Sequence, residues 1–183
     1  RHARRDLRTP LATILGAAST LKELDLSAEA RLDLLTAIEE EAARLNVHVS
    51  NLMQLSRLEL AAPLRRAWVD LGDLVTAAAT RLRRAVTGAD LRVTLGPLPM
   101  IQSEGGLIEQ ALFNLMDNAL SHGRSPVTIT SHETATALHL TIAEQGPGLP
   151  PALQDWLQSP DLRPAPGQSG LGLAVAKGIA RHL

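Results

Sequence analysis

Residues 114–123, NLMDNALSHG, set Asn114 and Asn118 four residues apart, and the meaning given to that pair decides the reading of the whole chain. At helical pitch the two side chains share a face. An asparagine offers an uncharged oxygen to Mg²⁺ and an amide to phosphate, which suits a metal held mostly by water and nucleotide oxygens. Asparagine pairs on helices are commonly just polar surface, so this stretch gains weight only from what surrounds it.

Two other pieces point to the same kind of ligand. AEQGPGLP (143–150) closes an alternating, strand-like segment. Gly146 and Gly148 there let the backbone approach a flat ring, and Glu144 places a carboxylate where it could accept from an exocyclic amine. GQSGLGLA (167–174) puts Gly167, Gly170 and Gly172 ahead of a helix, so that free amides and a helix N-terminus can meet phosphate oxygens. Each piece alone is weak, and glycine patterns especially so. In this order, together, they point to one nucleotide site.

Around them the chain reads as mixed α/β from about residue 63. WVDLGDLV (68–75) gives a short extended piece and then a helix to about Arg84. LRVTLG (91–96) alternates as a strand, and Gly106 to Leu120 reads as a helix. VTITSH (127–132) and ALHLTIA (137–143) are two strands around the polar turn ETAT. Residues 146–170 are rich in Pro and Gly and read as a long loop with one helical turn. The expected architecture is helices over one face of an antiparallel sheet.

Residues 1–62 differ. Leu7, Leu11, Ile14, Ala18 and Leu21 recur at alternating steps of four and three, with Pro10 expected to bend the helix. Ser27 is a candidate N-cap for a second helix from Ala28 to about Leu60, along a seam of Leu35, Ile38, Ala42, Leu45, Val49, Leu52 and Leu55. Such a hairpin has too little surface to bury alone. A dimeric four-helix bundle would complete its core, and packing on the rest of the chain is the alternative.

Composition narrows the function. The 183 residues carry a formal net charge of −1 and only Phe113, Trp68 and Trp156 as aromatics, which argues against nucleic-acid binding by phosphate contacts or base stacking. There is no cysteine, and no histidine pair has zinc-site spacing. No apolar run is long enough to span a bilayer.

The three nucleotide pieces, taken with DLRTPL (6–11) on the upstream hairpin, resemble the bacterial sensor histidine kinases. DLRTPLATILGAASTL, WVDLGDLV and GPGLPP are most similar to the potassium-sensing Kdp type. The resemblance implies an all-α dimerisation and histidine-phosphotransfer hairpin (1–62). It implies an α/β sandwich of the GHKL ATP-binding type after it (63–183), truncated at its C-terminal end. ATP and Mg²⁺ would be the ligands, a response regulator receiver domain and a second copy of the chain the partners. The location would be the cytoplasmic part of a membrane-bound sensor whose membrane segments lie outside this chain. ATP would be bound by Asn114, Asn118, Ser121, His122, Glu144, Gly146, Gly148, Gly170 and Gly172, with Asn118 on the metal and residues 149–169 as a lid. Asp6 and Thr9 would be catalytic. In related kinases the acidic residue assists phosphorylation of the acceptor histidine, and the threonine helps orient a water that dephosphorylates the regulator.

Departures from the pattern fall on the chemistry. Arg5 occupies the acceptor position, and a guanidinium has no available lone pair. Glu144 replaces an aspartate and is one methylene longer, so its carboxylate is expected to overshoot. Ser121 replaces a phosphate-binding lysine, Glu104 stands where Asp is common, and Trp156 is the only bulky aromatic near the lid. His2, nearly one turn before Arg5, reads as a solvent-exposed residue rather than a substitute acceptor. A pseudokinase that binds its regulator, as phosphatase or as scaffold, is the alternative reading.

Overall fold

The computed structural model describes residues 2–59, 64–160 and 171–183. Among them run α1 (His2–Glu23), α2 (Ala28–Glu59), β1 (Ala67–Asp70), α3 (Leu71–Ala85), β2 (Leu91–Thr94), β3 (Met100–Ser103), α4 (Gly105–His122), β4 (Val127–Glu133), β5 (Leu138–Ala143), α5 (Pro151–Gln158) and α6 (Leu171–His182). They form two compact units, Arg1–Gln54 and Leu55–Leu183. No described helix is long and apolar enough to cross a membrane.

The first unit is the helical hairpin. Ser27 is the N-cap of α2: its Oγ accepts from the Ala30 N–H at 3.2 Å and its carbonyl from Arg31 at 3.0 Å. The preceding helix, α1, continues through Pro10. The seam read from the sequence is only partly covered. Ile14, Leu21, Ile38, Leu45 and Leu52 are half-buried, whereas Leu11, Leu15, Leu32, Leu35, Val49 and Met53 stand exposed. That is more apolar side chain in water than a self-sufficient hairpin shows.

In the second unit Asp70 ends β1 and caps α3, its Oδ1 accepting from Gly72 at 2.7 Å and Asp73 at 3.1 Å. Strands β1 and β3 make a two-stranded antiparallel ribbon, with Trp68 opposite Gln102. Strands β2, β4 and β5 make a separate sheet in that order. It is mixed, not purely antiparallel as expected: β2 runs parallel to β4, with Val93 opposite Ile129, and β5 runs antiparallel to β4, with Thr130 opposite Thr141. The reason is connectivity. β4 and β5 are joined by a tight turn, but β2 reaches β4 only through a crossover that contains β3 and α4, and a parallel pair needs such a crossover.

Helix α4 packs against α3, α6 and the sheet. Its Met116 meets no solvent, nor do Val75, Ala78, Ala79 and Leu82 of α3, Val127 and Ile129 of β4, or Val175 and Ile179 of α6. Part of the stretch expected as loop is the helix α5. Pro151 at its first position has the right φ and needs no intrahelical N–H partner. Leu153 and Trp156 dock it on Leu173 and Ala174 of α6.

Candidate functional site

Helix α4 is the spine of the site. Asn114 is 2% exposed and Asn118 half-buried. Gly172, in the first turn of α6, lies directly against the first of them: a β-carbon at 172 would stand 3.7 Å from Asn114 Cβ, Cγ and Oδ1. The start of α6 therefore closes on Asn114.

At its other end α4 leads into Gly123 and Arg124, which are stitched to the turn after β5. The Gln145 N–H donates to the Arg124 carbonyl at 3.0 Å, and the Arg124 N–H donates to Glu144 Oε2 at 3.1 Å. The Gly146 N–H donates to the same oxygen. No side chain fits among these groups. A β-carbon on Gly123 would meet the Ala119 carbonyl at 2.5 Å and Glu144 Oε2 at 2.6 Å, and one on Gly146 would collide with that oxygen too. Gly148 takes a left-handed φ of 77°. The β5 turn and the α6 start thus each meet α4, the first at Gly123 and Arg124 and the second at Asn114.

Glu144 takes an unanticipated pose. Its extra methylene lets the carboxylate curl back onto two backbone amides, so Oε2 serves the loops and Oε1 is the oxygen those amides leave for a ligand. Ser121 and His122 are exposed at the end of α4. Gly167 and Gly170 lie outside the described residues, as do residues 161–169 of the expected lid. Arg5 and Asp6 belong to α1, with side chains outside the described set; Thr9 is exposed, and its carbonyl accepts from Thr13 Oγ1 at 3.3 Å.

Two residues of this neighbourhood escaped the sequence reading. Gln110, one turn before Asn114, is buried and donates through Nε2 to Asn114 Oδ1 at 3.1 Å; its four-residue spacing was the available signal. Lys177 of α6 is 8% exposed, lies 4.1 Å over the Trp156 ring and donates to the Trp156 carbonyl. Nothing in the sequence marks a lysine on an amphipathic helix as buried.

Asn114 Nδ2 is buried without a hydrogen-bond partner among the described residues. An orphaned donor of this kind is costly, and a phosphate oxygen would satisfy it. The same residues gather no group of three or more His, Cys, Asp or Glu able to hold a metal. A Mg²⁺ here would rest on Asn118 and the oxygens of its nucleotide, a fit with the uncharged donor set. A wide concavity along α3, lined by Asp73, Thr76, Thr80, Arg81 and Arg84 among others, is walled by that helix alone and encloses nothing.

Both parts of the chain match known families. Residues 104–183 match the histidine kinase-, DNA gyrase B- and HSP90-like ATPase family, and residues 1–61 match the His Kinase A (phospho-acceptor) domain. The sensor protein KdpD of Mycobacterium tuberculosis is 32% identical over 97% of this chain and 22% of its own length. KdpD of Escherichia coli is 31% identical over 95% of the chain and 20% of its own. The chain thus spans about a fifth of these relatives. Among solved structures, Acinetobacter baumannii histidine kinase AdeS superposes with a TM-score of 0.70 at 24% identity, over 97% of this chain and 86% of that one. Histidine kinase ThkA in complex with response regulator protein TrrA gives 0.62 at 20% identity, over 94% of this chain and 51% of that one. With a phospho-acceptor-type hairpin followed by this ATPase-type unit, the chain belongs to the sensor histidine kinases.

Proposed function

We propose that this chain is the catalytic core of a two-component sensor kinase of the Kdp type, that its second unit binds Mg-ATP, and that its acceptor position is chemically silent. The observation that supports the nucleotide site is the meeting of two segments distant in sequence, the β5 turn and the start of α6, with α4, where the buried Asn114 Nδ2 has no hydrogen-bond partner among the described residues.

In this reading the adenine amine meets Glu144 Oε1 at the β5 turn, with Gly146 and Gly148 giving the ring close access. Ser121 and His122 line the exposed end of α4. The triphosphate lies toward Asn114 and the start of α6, where Gly172 admits it to the helix amides. Bound Mg²⁺ supplies charge neutralisation at the phosphates, and Asn118 offers it an oxygen.

The exposed leucines of α1 and α2 support pairing of the hairpin with that of a second copy, which would bury them in a four-helix bundle. The receiver domain of a response regulator is the protein partner. Membrane attachment, on this reading, belongs to segments outside the chain, and the part described here works in the cytoplasm.

A nucleotide titration followed by thermal unfolding tests the site. At a hundred times Kd, Mg-ATP is expected to stabilise the fold by about 2.7 kcal/mol. No shift at millimolar Mg-ATP would refute ATP binding.

Arg5 favours a second reading beside this one. A chain that cannot accept a phosphoryl group there can still orient water toward an aspartyl phosphate on its regulator, which demands positioning rather than a nucleophile. The exposure of Thr9 on α1 supports that role. Thr9→Ala is then expected to slow loss of phosphate from the phosphorylated regulator roughly tenfold or more. An unchanged decay rate would leave a scaffold.

A further inference from the structure

Building on the nucleotide site proposed above, we infer that Gln110 is a positioning residue for its phosphate end. It fixes the Asn114 amide so that this asparagine meets the nucleotide as a hydrogen-bond donor, leaving the metal to Asn118.

The polarity follows from a chain of three side chains. Arg81 Nη1 donates to Gln110 Oε1 at 3.3 Å. A guanidinium has donors only, so the Gln110 oxygen must face it. Arg81 is itself held in place, 4.1 Å over the Phe113 ring and 3.9 Å from Glu109 Oε1. With its oxygen turned to Arg81, Gln110 has its NH₂ group toward Asn114 and donates to Oδ1 at 3.1 Å. An amide is ordinarily ambiguous end for end; here Arg81 removes the ambiguity two residues away.

The consequence falls on Asn114. Its oxygen is engaged on the Gln110 side, and its Nδ2 is the buried atom without a partner among the described residues. Both amides are nearly out of solvent, Gln110 at 8% and Asn114 at 2% exposed, so water cannot cheaply take the partner's place. An N–H can serve a phosphate oxygen and cannot ligate a cation. Asn118, one turn further along the same face, has no such constraint among the described residues and remains the oxygen donor suited to Mg²⁺.

The test is Gln110→Glu in the full chain, with ATP and ADP binding measured by calorimetry in Mg²⁺ and again in EDTA. A carboxylate at 110 can pair with Arg81 but can only accept from Asn114, so the asparagine must turn its oxygen toward the phosphates. Affinity in EDTA is expected to fall about tenfold or more, and affinity in Mg²⁺ by less, because an oxygen can still reach the metal. Asn114→Asp should reproduce the EDTA loss, and the double variant should add little to either single change. Gln110→Met, isosteric and apolar, covers the case in which the glutamate variant does not fold; it frees the Asn114 amide to turn, and its loss should again be larger in EDTA. Equal losses in both conditions, or none, would overturn the inference while leaving the nucleotide site intact. If the unchanged protein binds no nucleotide in either condition, the site and the inference fall together.

Discussion

Incubated with ATP labelled at its γ-phosphoryl group, this chain is expected to gain no label at position 5, and Arg5→His is expected to switch labelling on. Phosphoryl transfer to a side chain needs a lone pair in line with the leaving oxygen. The Arg5 guanidinium remains protonated far above neutral pH and presents N–H donors alone. An imidazole titrates near pH ~6.5, so that at neutral pH most of it has a free nitrogen. Asp6 and Thr9 already follow in the acid-x-x-Thr arrangement, so the substitution restores the missing reactant and not a whole motif. The product should be acid-labile and base-stable, as a phosphoramidate is, and mass spectrometry should place it at residue 5. Acid-labile label on the unchanged chain, mapped to His2, would instead establish a displaced acceptor. A dark Arg5→His variant that still binds Mg-ATP would move the defect from the acceptor to the nucleotide pose.

The second large effect is expected in stability, from Lys177→Ala. Lys177 holds α5 through its cation over the Trp156 ring and its bonds to the Trp156 carbonyl and, at 3.4 Å, to Ser159 Oγ. Arg181, one turn on, donates to the Pro160 carbonyl at 2.8 Å and to that of Ser159 at 2.5 Å. Two cations thus sit at the negative end of a helix of 8 residues, too short to persist unaided. A desolvated cation–π pair contributes about 2 kcal/mol and a charged hydrogen bond about 1.5–3 kcal/mol, not additively. The substitution is therefore expected to cost about 2–4 kcal/mol, read from the denaturant midpoint. Amide exchange should rise first in residues 151–158. A loss below ~0.5 kcal/mol, the level of an ordinary surface substitution, would show the lysine to be decorative.

What could be read in advance follows a physical divide. The hairpin was legible because its signals are local: heptad spacing, and Ser27 as a cap that the structure reproduces. The alternating strands were legible for the same reason. β3 was not, because Met100–Ser103 becomes a strand only by pairing with β1, more than thirty residues earlier. The mixed sheet was likewise a matter of partner choice between distant segments. The helix α5 was hidden by Pro150 and Pro151, which suggest a loop until Leu153 and Trp156 find α6. At the site, residue types such as Asn114 and Glu144 were visible, but their orientations were not. The curl of Glu144 depends on backbone amides from another loop, and the Asn114 polarity depends on Arg81, a helix away.

The crowding of Gly123 and Gly146 around the Glu144 carboxylate ties three separated positions into one inherited unit. While glutamate stays at 144, any larger residue at 123 or 146 runs into it. Shortening 144 to aspartate would withdraw the oxygen, but a β-carbon at 146 would still stand 3.2 Å from Gly123 Cα and one at 123 would still face the Ala119 carbonyl. Backbone as well as carboxylate therefore fills the space beside both glycines, so neither position is released by a change at 144 alone.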